Sequence, residues 1–215
     1  MKLLTLNLIE QHDPKFMEAI NVLRTSIEFA DKEIKILSFA GCTEPEGSWK
    51  IAINLAEAFS KLDRKTLFLD ANLRDKELSK FYQVNSGLTE YLQHKATLKE
   101  IIYETNKEHL DLILPGSLPE NPTELLGGRD FINLIETLKQ QYDHIIINVP
   151  VVQELVDGII IGRLSDGVIP VIDQDRTKYK QAEETKHKLK RCGCHILGCV
   201  FNQLTVTKKS RLRVM

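Results

Sequence analysis

The sequence predicts a doubly wound α/β domain with a mostly parallel sheet and helices on both faces. Short apolar segments alternate with amphipathic segments along most of the 215 residues. The apolar segments are continuously hydrophobic, which is typical of strands that helices cover on both sides. A chain of this length can bury a core that folds without disulfides or a structural metal. These observations predict one α/β core domain.

The predicted elements follow one another in the order expected for such a sheet. Predicted strands cover residues 34–40, 66–71, 110–116, 144–150, 166–172 and 195–202. Predicted helices cover residues 15–30, 50–62, 129–141 and 180–192. We expect an N-terminal arm (1–15) that is poorly ordered or dependent on a partner, a core domain (16–205) and a basic C-terminal tail (206–215).

Composition and spacing exclude several classes of protein. The longest apolar runs are about five to seven residues, far below the ~20 needed to cross a bilayer. No signal peptide is recognised, so we expect a cytoplasmic protein, with peripheral contact at the inner face of the membrane left open. The cysteines and histidines show no metal-ligand spacing, and no nucleophile-elbow sequence accompanies a Ser-His-Asp order.

Charge is unevenly distributed although the formal net charge is only −1. Residues 176–215 are strongly basic, and their last basic side chains are Lys208, Lys209, Arg211 and Arg213. One interpretation is a solvated helix face with a basic tail. The other is a docking surface for an acidic partner or an anionic membrane. Nucleic-acid binding is not expected because aromatic side chains for base stacking are scarce there.

The stretch GCTEPEGSWKIAIN (41–54) begins like a phosphate-binding loop. In such loops backbone N–H groups at a helix N-terminus wrap the phosphates, a lysine neutralises their charge and a Ser or Thr holds magnesium. Here a predicted strand precedes the stretch and an amphipathic helix follows it. In parallel sheets ligands bind at the carboxyl ends of strands, which here follow Ala40, Leu69 and Ile147.

Several further segments occur in a consistent order, and their resemblance to one family is specific. They are TEPEGSWKIAINLAEAF, TLFLDANLRDKEL, SGLTEYL, LPGSLPENPTELLGG, YDHIIINVPVV, VDGIIIGRLSDGVIPVID and ILGCVFNQL. Together they resemble the bacterial tyrosine kinases, a P-loop family that controls capsule and exopolysaccharide synthesis. The resemblance covers residues 16–205 and implies a P-loop NTPase-like fold, with the last two segments following the final core strands.

The resemblance also shows where this chain departs from the family at the nucleotide site. Around Glu46 and Gly47, Pro45 stands at the first loop glycine, Ser48 at the phosphate-binding lysine and Trp49 at the magnesium-binding Ser or Thr. Lys50 cannot substitute, since it lies about 200° around the helix from Ser48. A lysine from a distant loop remains an alternative.

Two acidic positions of the family are also changed. Asn72 and Asn148 stand where the Walker A′ and Walker B segments supply aspartates, while Asp70 and Arg74 match their motif positions. A neutral amide oxygen attracts magnesium far less than a carboxylate does. We therefore expect no catalytic residue, no metal site, and weak or absent binding of ATP and magnesium. The resemblance places Asn202 on the adenine side of this degenerate site.

The leading hypothesis is a catalytically inactive family member, a pseudokinase, that serves as a regulatory or scaffold subunit in exopolysaccharide or capsule assembly. Its implied partner is the cytoplasmic part of a membrane polysaccharide co-polymerase, or an active kinase homologue. The family's C-terminal tyrosine cluster is also missing, because the chain ends LTVTKKSRLRVM.

Three alternatives stay open at this point. The first is a rewired nucleotide site with residual ATPase or tyrosine-kinase activity. The second is a site for another small ligand, such as a nucleotide sugar or signalling nucleotide. The third is a strand-loop-helix connection that never bound phosphate. A Trp49 indole that fills the phosphate pocket would favour the pseudokinase, an imported lysine the first alternative, and a ligand stacked on the indole the second.

The segment EAINVLRTSI (18–27) resembles the helix through which family members oligomerise. Glu18, Arg24 and Thr25 match that helix, whereas Asn21 replaces one of its arginines. A homo-oligomer is therefore one expectation. The other is an amphipathic helix that packs on its own domain through its apolar residues, Ile20, Leu23 and Ile27.

Overall fold

The computed structural model describes residues 2–6, 13–30, 33–43, 47–152, 156–203 and 211–214. Within these ranges the strands are β1 (Lys2–Leu4), β2 (Ile36–Gly41), β3 (Thr66–Asp70), β4 (Tyr103–Thr105), β5 (Leu110–Ile113), β6 (His144–Val149), β7 (Gly167–Asp173), β8 (Val200–Gln203) and β9 (Arg211–Val214). The helices are α1 (Pro14–Glu28), α2 (Ser48–Ser60), α3 (Glu77–Phe81), α4 (Leu88–Leu92), α5 (Leu98–Ile101), α6 (Pro122–Gly127), α7 (Arg129–Lys139), α8 (Asp157–Leu164) and α9 (Tyr179–Arg191).

The strands form one mostly parallel sheet, as predicted. Their order is β1-β4-β5-β3-β6-β2-β7-β8-β9. Neighbours pair in parallel except at two places, where β4 meets β5 and β8 meets β9. Every residue of β2 and β3 is buried, which agrees with the continuous hydrophobic runs that predicted them.

Two apolar layers lie on opposite faces of the sheet because successive strand residues point to opposite sides. On one face, Phe39 of β2 packs in the same cluster as Phe59 of α2 and the buried residues of α1. On the other face, Ile147 of β6 packs in the same cluster as Phe131 of α7 and Leu189 of α9. The helices therefore cover both faces, which confirms the doubly wound architecture.

Helix α1 has a clear start and a buried stripe. The side chain of Asp13 accepts a 2.9 Å hydrogen bond from the backbone N–H of Lys15, and Pro14 occupies the first turn, where no backbone donor is needed. The buried stripe has helical spacing and consists of Phe16, Ile20, Leu23 and Ile27. The prediction that this helix packs on its own domain is confirmed.

Two short segments, inside the predicted arm and the predicted tail, pair with the sheet. Residues 2–4 form β1, which pairs in parallel with β4, where we predicted an arm over 1–15. Residues 211–214 form β9, antiparallel to β8, where we predicted a tail over 206–215. Both segments add to a sheet edge, whose unpaired backbone groups accept another strand. Such pairing depends on a distant partner strand, so three or four residues carry little sequence signal for it.

The segment at 157–164 forms helix α8, an element that the sequence analysis did not assign. Gly158 and Gly162 lie one helical turn apart in α8. A Cβ atom on Gly158 would lie 2.8 Å from Cγ2 of Val152, and one on Gly162 would lie 3.1 Å from Sγ of Cys194. The glycines thus allow α8 to pack closely, a tertiary feature that a short apolar run does not reveal.

The predicted strand at 195–202 is also shorter than expected. Residue 196 makes a single parallel bridge to residue 168, and the continuous strand β8 begins only at Val200.

Among the residues that the structure describes, no helix combines the length and the apolar character needed to span a membrane.

Candidate functional site

Three predicted strand ends meet at one edge of the sheet. β3, β6 and β2 are consecutive neighbours and run in parallel, so their carboxyl ends lie side by side. In this register Asp70, the last residue of β3, is opposite Asn148 of β6. Helix α2 begins close by, after the loop that follows β2. The sequence therefore predicted correctly which strand ends come together.

Ser48, Asn148 and Asp70 form a buried hydrogen-bonded chain, which we call the strand-end chain. Oγ of Ser48 donates to Oδ1 of Asn148 at 3.1 Å, and Nδ2 of Asn148 donates to Oδ1 of Asp70 at 2.8 Å. The three residues are only 3%, 4% and 5% exposed. Because buried polar groups are costly without partners, these hydrogen bonds stabilise an otherwise unfavourable cluster.

Burial raises the pKa of Asp70 to about 7. Two hydrogen bonds oppose this effect by favouring the charged carboxylate, one from the Asn148 side chain and one from the backbone N–H of Asn72 at 3.1 Å. Desolvation outweighs them because the carboxyl lies in the protein interior. Asp70 is therefore a carboxyl group that titrates near neutral pH.

The first turn of α2 borders the strand-end chain. Gly47 precedes it with a φ of 122°, a backbone conformation that residues other than glycine rarely adopt. The indole of Trp49 is half-buried and packs against the cluster around α1 and α2, and Nζ of Lys50 lies 5.6 Å from its ring centroid. The indole takes no part in the strand-end chain. The predicted site residues Pro45 and Glu46 lie outside the described residues.

A second polar cluster continues from this site. The backbone N–H of Arg74 donates to Oδ1 of Asn72 at 3.3 Å, and Nε of Arg74 donates to Oδ2 of Asp157 at 2.7 Å. Nη2 of Arg74 also donates to Oγ1 of Thr123 at 3.0 Å, and Thr123 donates to Asp157. Asp157 is fully buried. Arg74 thus connects the loop after β3 to the first turns of α6 and α8.

Sequence reasoning did not assign Thr123 and Asp157 to the site. Both belong to segments that carried the family resemblance, Thr123 in NPTELL and Asp157 in VDG. For Asp157 the sequence did contain a signal, which is a charged residue at the start of an otherwise apolar segment. Nothing in the sequence indicated that Asp157 pairs with Arg74, which is 83 positions away.

Asn202 lies at the same edge of the sheet, two strands further along from β2. It is buried in β8 opposite Asp173 of β7, and its carbonyl accepts a 2.9 Å hydrogen bond from the N–H of Gln174. Close to it, the hydroxyls of Thr43 and Thr177 are 3.0 Å apart. These positions agree with a residue beside the strand-end site, while its expected contact with adenine stays a prediction.

The three residues predicted for oligomerisation lie on α1. Glu18 and Thr25 are exposed, and Oγ1 of Thr25 donates to the carbonyl of Asn21 at 2.8 Å. Arg24 is mostly buried and pairs with Glu28, with Nε and Oε2 3.5 Å apart. Its Nη1 also donates to the carbonyl of Ala58 in α2 at 3.4 Å. Arg24 thus makes contacts within its own domain.

The predicted docking residues are at the C-terminus. Lys208 and Lys209 lie outside the described residues. The backbone of Arg211 and Arg213 belongs to β9, in which they pair with residues 203 and 201.

The strand-end chain offers one carboxylate and two neutral groups. The amide nitrogen of Asn148 faces Asp70, so a hydrogen-bond donor stands beside the carboxylate. Magnesium binds oxygen ligands and prefers carboxylates among them. No group of three or more His, Cys, Asp or Glu side chains able to hold a metal occurs within the described ranges.

The sequence and the fold are similar to those of several known proteins. Tyrosine-protein kinase CpsD of Streptococcus agalactiae is 36% identical over 194 residues, which cover 89% of this chain and 84% of the relative. Tyrosine-protein kinase YwqD of Bacillus subtilis is 32% identical over 210 residues, covering 95% and 89%. The kinase domain of the Escherichia coli tyrosine kinase ETK superposes with a TM-score of 0.83 at 27% identity, covering 97% and 91%. No protein-family model matches the chain.

The parallel sheet with β3, β6 and β2 as neighbours, and a helix that begins beside their carboxyl ends, define a P-loop NTPase-like α/β protein. The extent and identity of the matches define the family more narrowly. This chain belongs to the bacterial tyrosine-kinase family.

Proposed function

We propose that this chain is a catalytically inactive member of the bacterial tyrosine-kinase family, with a regulatory or scaffold role in exopolysaccharide or capsule assembly. The observation that carries the proposal is the strand-end chain. It holds Ser48 and Asn148 in hydrogen bonds at the positions where the family resemblance expects a phosphate-binding lysine and a magnesium-binding aspartate.

The chemistry of phosphoryl transfer explains why these side chains matter. Enzymes accelerate it almost entirely by positioning and by electrostatic stabilisation. Removal of one well-placed stabilising donor costs on the order of 100- to 1,000-fold in other enzymes. Here Ser48 carries no charge. Asn148 would have to turn its amide oxygen towards a metal, which would break its hydrogen bonds to Ser48 and Asp70.

Binding of ATP and magnesium is accordingly weak or absent in this proposal. The role that remains in this proposal is binding to another protein. The partner would be the cytoplasmic part of a membrane polysaccharide co-polymerase, or an active kinase homologue, and the protein would work at the inner face of the membrane. Self-association through α1 belongs to the same proposal, although Arg24 is already engaged by Glu28 and Ala58 in one domain.

Residual nucleotide binding is the second candidate. It is favoured by Gly47, whose φ of 122° is the kind of backbone conformation that phosphate-binding loops use, directly before α2. The N-terminus of a helix is an intrinsic anion site. In this candidate ATP would bind through backbone groups, with little dependence on magnesium.

Calorimetric titration of the purified chain with ATP, with and without Mg²⁺, tests the proposal. We expect no measurable heat or millimolar affinity in both titrations. CpsD of Streptococcus agalactiae, treated in parallel, serves as the control for the assay. Micromolar affinity that depends on magnesium, or phosphotyrosine found by mass spectrometry after incubation with ATP, would overturn the proposal. Weak binding that is independent of magnesium would support the second candidate.

A further inference from the structure

The second half of α9 presents a basic face to solvent. Its exposed side chains are Lys186, His187, Lys188, Lys190 and Arg191. Two residues on the opposite side, Thr185 and Leu189, are fully buried, and Leu189 belongs to the cluster with α7 and α8. The helix is therefore held against the sheet, and the basic side chains project from a fixed support.

The acidic residues of α9 are confined to its first half. The hydroxyl of Tyr179 donates to Oε1 of Glu183 at 3.0 Å, and Nζ of Lys180 lies 3.9 Å from Oε1 of Glu184. Both acids thus interact with residues one turn earlier in the helix. From Lys186 to Arg191 no acidic residue occurs, so this half of the helix carries a local excess of basic side chains.

Stability of the helix explains only part of this pattern. Basic side chains in a last turn interact favourably with the helix dipole, and Lys188, Lys190 and Arg191 are in that turn. Lys186 and His187 precede the turn. The dipole effect also falls off within one turn, whereas the basic face from Lys186 to Arg191 extends over about 1.7 turns.

We propose that this face, Lys186 to Arg191 of α9, docks on an anionic phospholipid bilayer. Clusters of basic residues on one helix face bind such surfaces through summed Coulomb attraction. Three of the four charged residues are lysines, which act as flexible point charges. Recognition of single carboxylates in a protein partner favours the planar fork of arginine instead. The face lies on a different element from the strand-end chain, so the inference does not depend on the loss of kinase activity.

Co-sedimentation of the full chain with vesicles tests this proposal. One set of vesicles contains phosphatidylglycerol mixed with phosphatidylcholine, and the other contains phosphatidylcholine alone. The test variant carries Lys186→Gln, Lys190→Gln and Arg191→Gln. The matched control carries Lys80→Gln, Lys95→Gln and Lys99→Gln, which remove the same charge from exposed positions outside α9.

We expect the unmodified chain to bind only the anionic vesicles. The test variant should bind them roughly tenfold more weakly or worse, and the control should stay within about twofold. Binding should be lost in about 1 M salt, where the Debye length is about 3 Å. The comparison is repeated in a chain in which Lys208, Lys209, Arg211 and Arg213 are all changed to Ser. In that background too, the α9 changes should weaken binding roughly tenfold, which separates the effect of α9 from that of the C-terminal residues.

Several results would overturn the proposal. They are no binding by the unmodified chain, equal binding to neutral vesicles, or equal losses in the test variant and the control. Capture of an acidic protein without vesicle binding would assign the face to a different partner. Circular dichroism and a cooperative melt check that each variant folds. If the triple variant does not fold, the salt dependence of the unmodified chain and the double change Lys190→Gln with Arg191→Gln decide the question.

Discussion

Asp70 and Asn148 lie opposite each other on two neighbouring parallel strands, and Nδ2 of Asn148 donates a 2.8 Å hydrogen bond to Oδ1 of Asp70. The amide therefore supplies the hydrogen that a buried carboxyl group needs. A carboxylate at position 148 would face Asp70 directly and would require a cation or a shared proton. This pair links the fold to the proposed loss of activity.

Repair of the site is the first prediction. The changes Pro45→Gly, Ser48→Lys and Trp49→Ser restore a flexible loop, the lysine and the metal-binding hydroxyl. Adding Asn72→Asp and Asn148→Asp supplies carboxylates beside Asp70. We expect the triple variant to bind ATP measurably and the five-fold variant to bind it better with Mg²⁺, because only the latter adds carboxylate ligands to that of Asp70. Calorimetry measures both.

The triple variant is the control for the metal-dependent part of this experiment. The experiment measures nucleotide binding and does not depend on the return of kinase activity. Suppose that the five-fold variant folds, yet millimolar ATP and Mg²⁺ leave its melting temperature unchanged. The strand ends would then not arrange these side chains around a phosphate, and the connection at 41–54 would never have been a nucleotide site.

The second prediction concerns the pH dependence of stability. Asp70 has a folded-state pKa of about 7, whereas an unfolded aspartate titrates near 3.9. Between about pH 4 and pH 7 the folded state keeps the proton and the unfolded state has lost it. The contribution of Asp70 to the free energy of unfolding therefore falls as pH rises through this window, by at most about 1.4 kcal/mol per pH unit, and levels off above it.

Asp70→Asn should remove this slope. Urea unfolding of both proteins between about pH 4 and pH 8 measures it. The free-energy difference, variant minus unmodified chain, should become more favourable to the variant as pH rises. Glu120→Gln, a change at an exposed carboxylate elsewhere on the surface, is the control. Parallel pH profiles for Asp70→Asn and the unmodified chain would show that Asp70 does not titrate in this range.

The third prediction concerns Arg74 and Asp157. Arg74→Ala leaves the fully buried Asp157 without its charge partner, so we expect the free energy of unfolding to fall by about 2 to 4 kcal/mol. Arg74→Lys should lose less, because it keeps the charge but cannot reach Asp157 and Thr123 together. The double variant Arg74→Ala with Asp157→Asn should lose less free energy of unfolding than the sum of the losses in the two single variants. Strict additivity in urea unfolding would contradict a direct interaction.

The fourth prediction compares two glycines with similar backbone conformations. Gly116 has a φ of 82° and Gly193 a φ of 78°. A Cβ on Gly116 would collide with Oε2 of Glu90 and would lie 2.8 Å from the nitrogen of Gly87, whereas a Cβ on Gly193 has nothing within 4 Å. Either change to Ala should lower the free energy of unfolding by about 1 to 2 kcal/mol, because a residue with a Cβ disfavours the left-handed backbone conformation.

Gly116→Ala should lower the free energy of unfolding by about 1 to 3 kcal/mol more than Gly193→Ala does, because of the steric overlap. Thermal or urea unfolding measures the difference. It also tests the junction at which the motif SGLTEYL contacts LPG, since Oε2 of Glu90 accepts a 2.7 Å hydrogen bond from Gly87 there. Equal losses in the two variants would mean that this junction adjusts without cost.

The fifth prediction concerns the C-terminal charges. The sequence interpretation of Lys208, Lys209, Arg211 and Arg213 as surface charges predicts that their replacement by Ser leaves the melting temperature nearly unchanged, because surface charges contribute little to stability. If these residues dock on a partner, capture of the cytoplasmic part of a co-polymerase should weaken. Unchanged capture together with unchanged vesicle binding would return the segment to the role of a solvated surface.

Local sequence was sufficient for the central elements. β2, β3, β6 and β7 are continuous apolar runs, and α1, α2, α7 and α9 have helical periodicity, so side-chain pattern alone distinguishes strand from helix there. The carboxyl ends of β2, β3 and β6 then had to meet at one edge, given a parallel sheet. The strand at residues 2–4 and the helix at 157–164 were not predicted, because their structure depends on what they pack against.

What the tertiary structure decided is the set of partners across long separations. The sequence placed Ser48, Asp70 and Asn148 near one edge, but only the strand register put Asp70 opposite Asn148 with its amide nitrogen towards the carboxyl. Likewise, no local pattern indicates that Asp157 is fully buried against Arg74. Local pattern reports the preferences of neighbouring residues, whereas hydrogen-bond partners and pKa values depend on burial and on atoms contributed by distant parts of the chain.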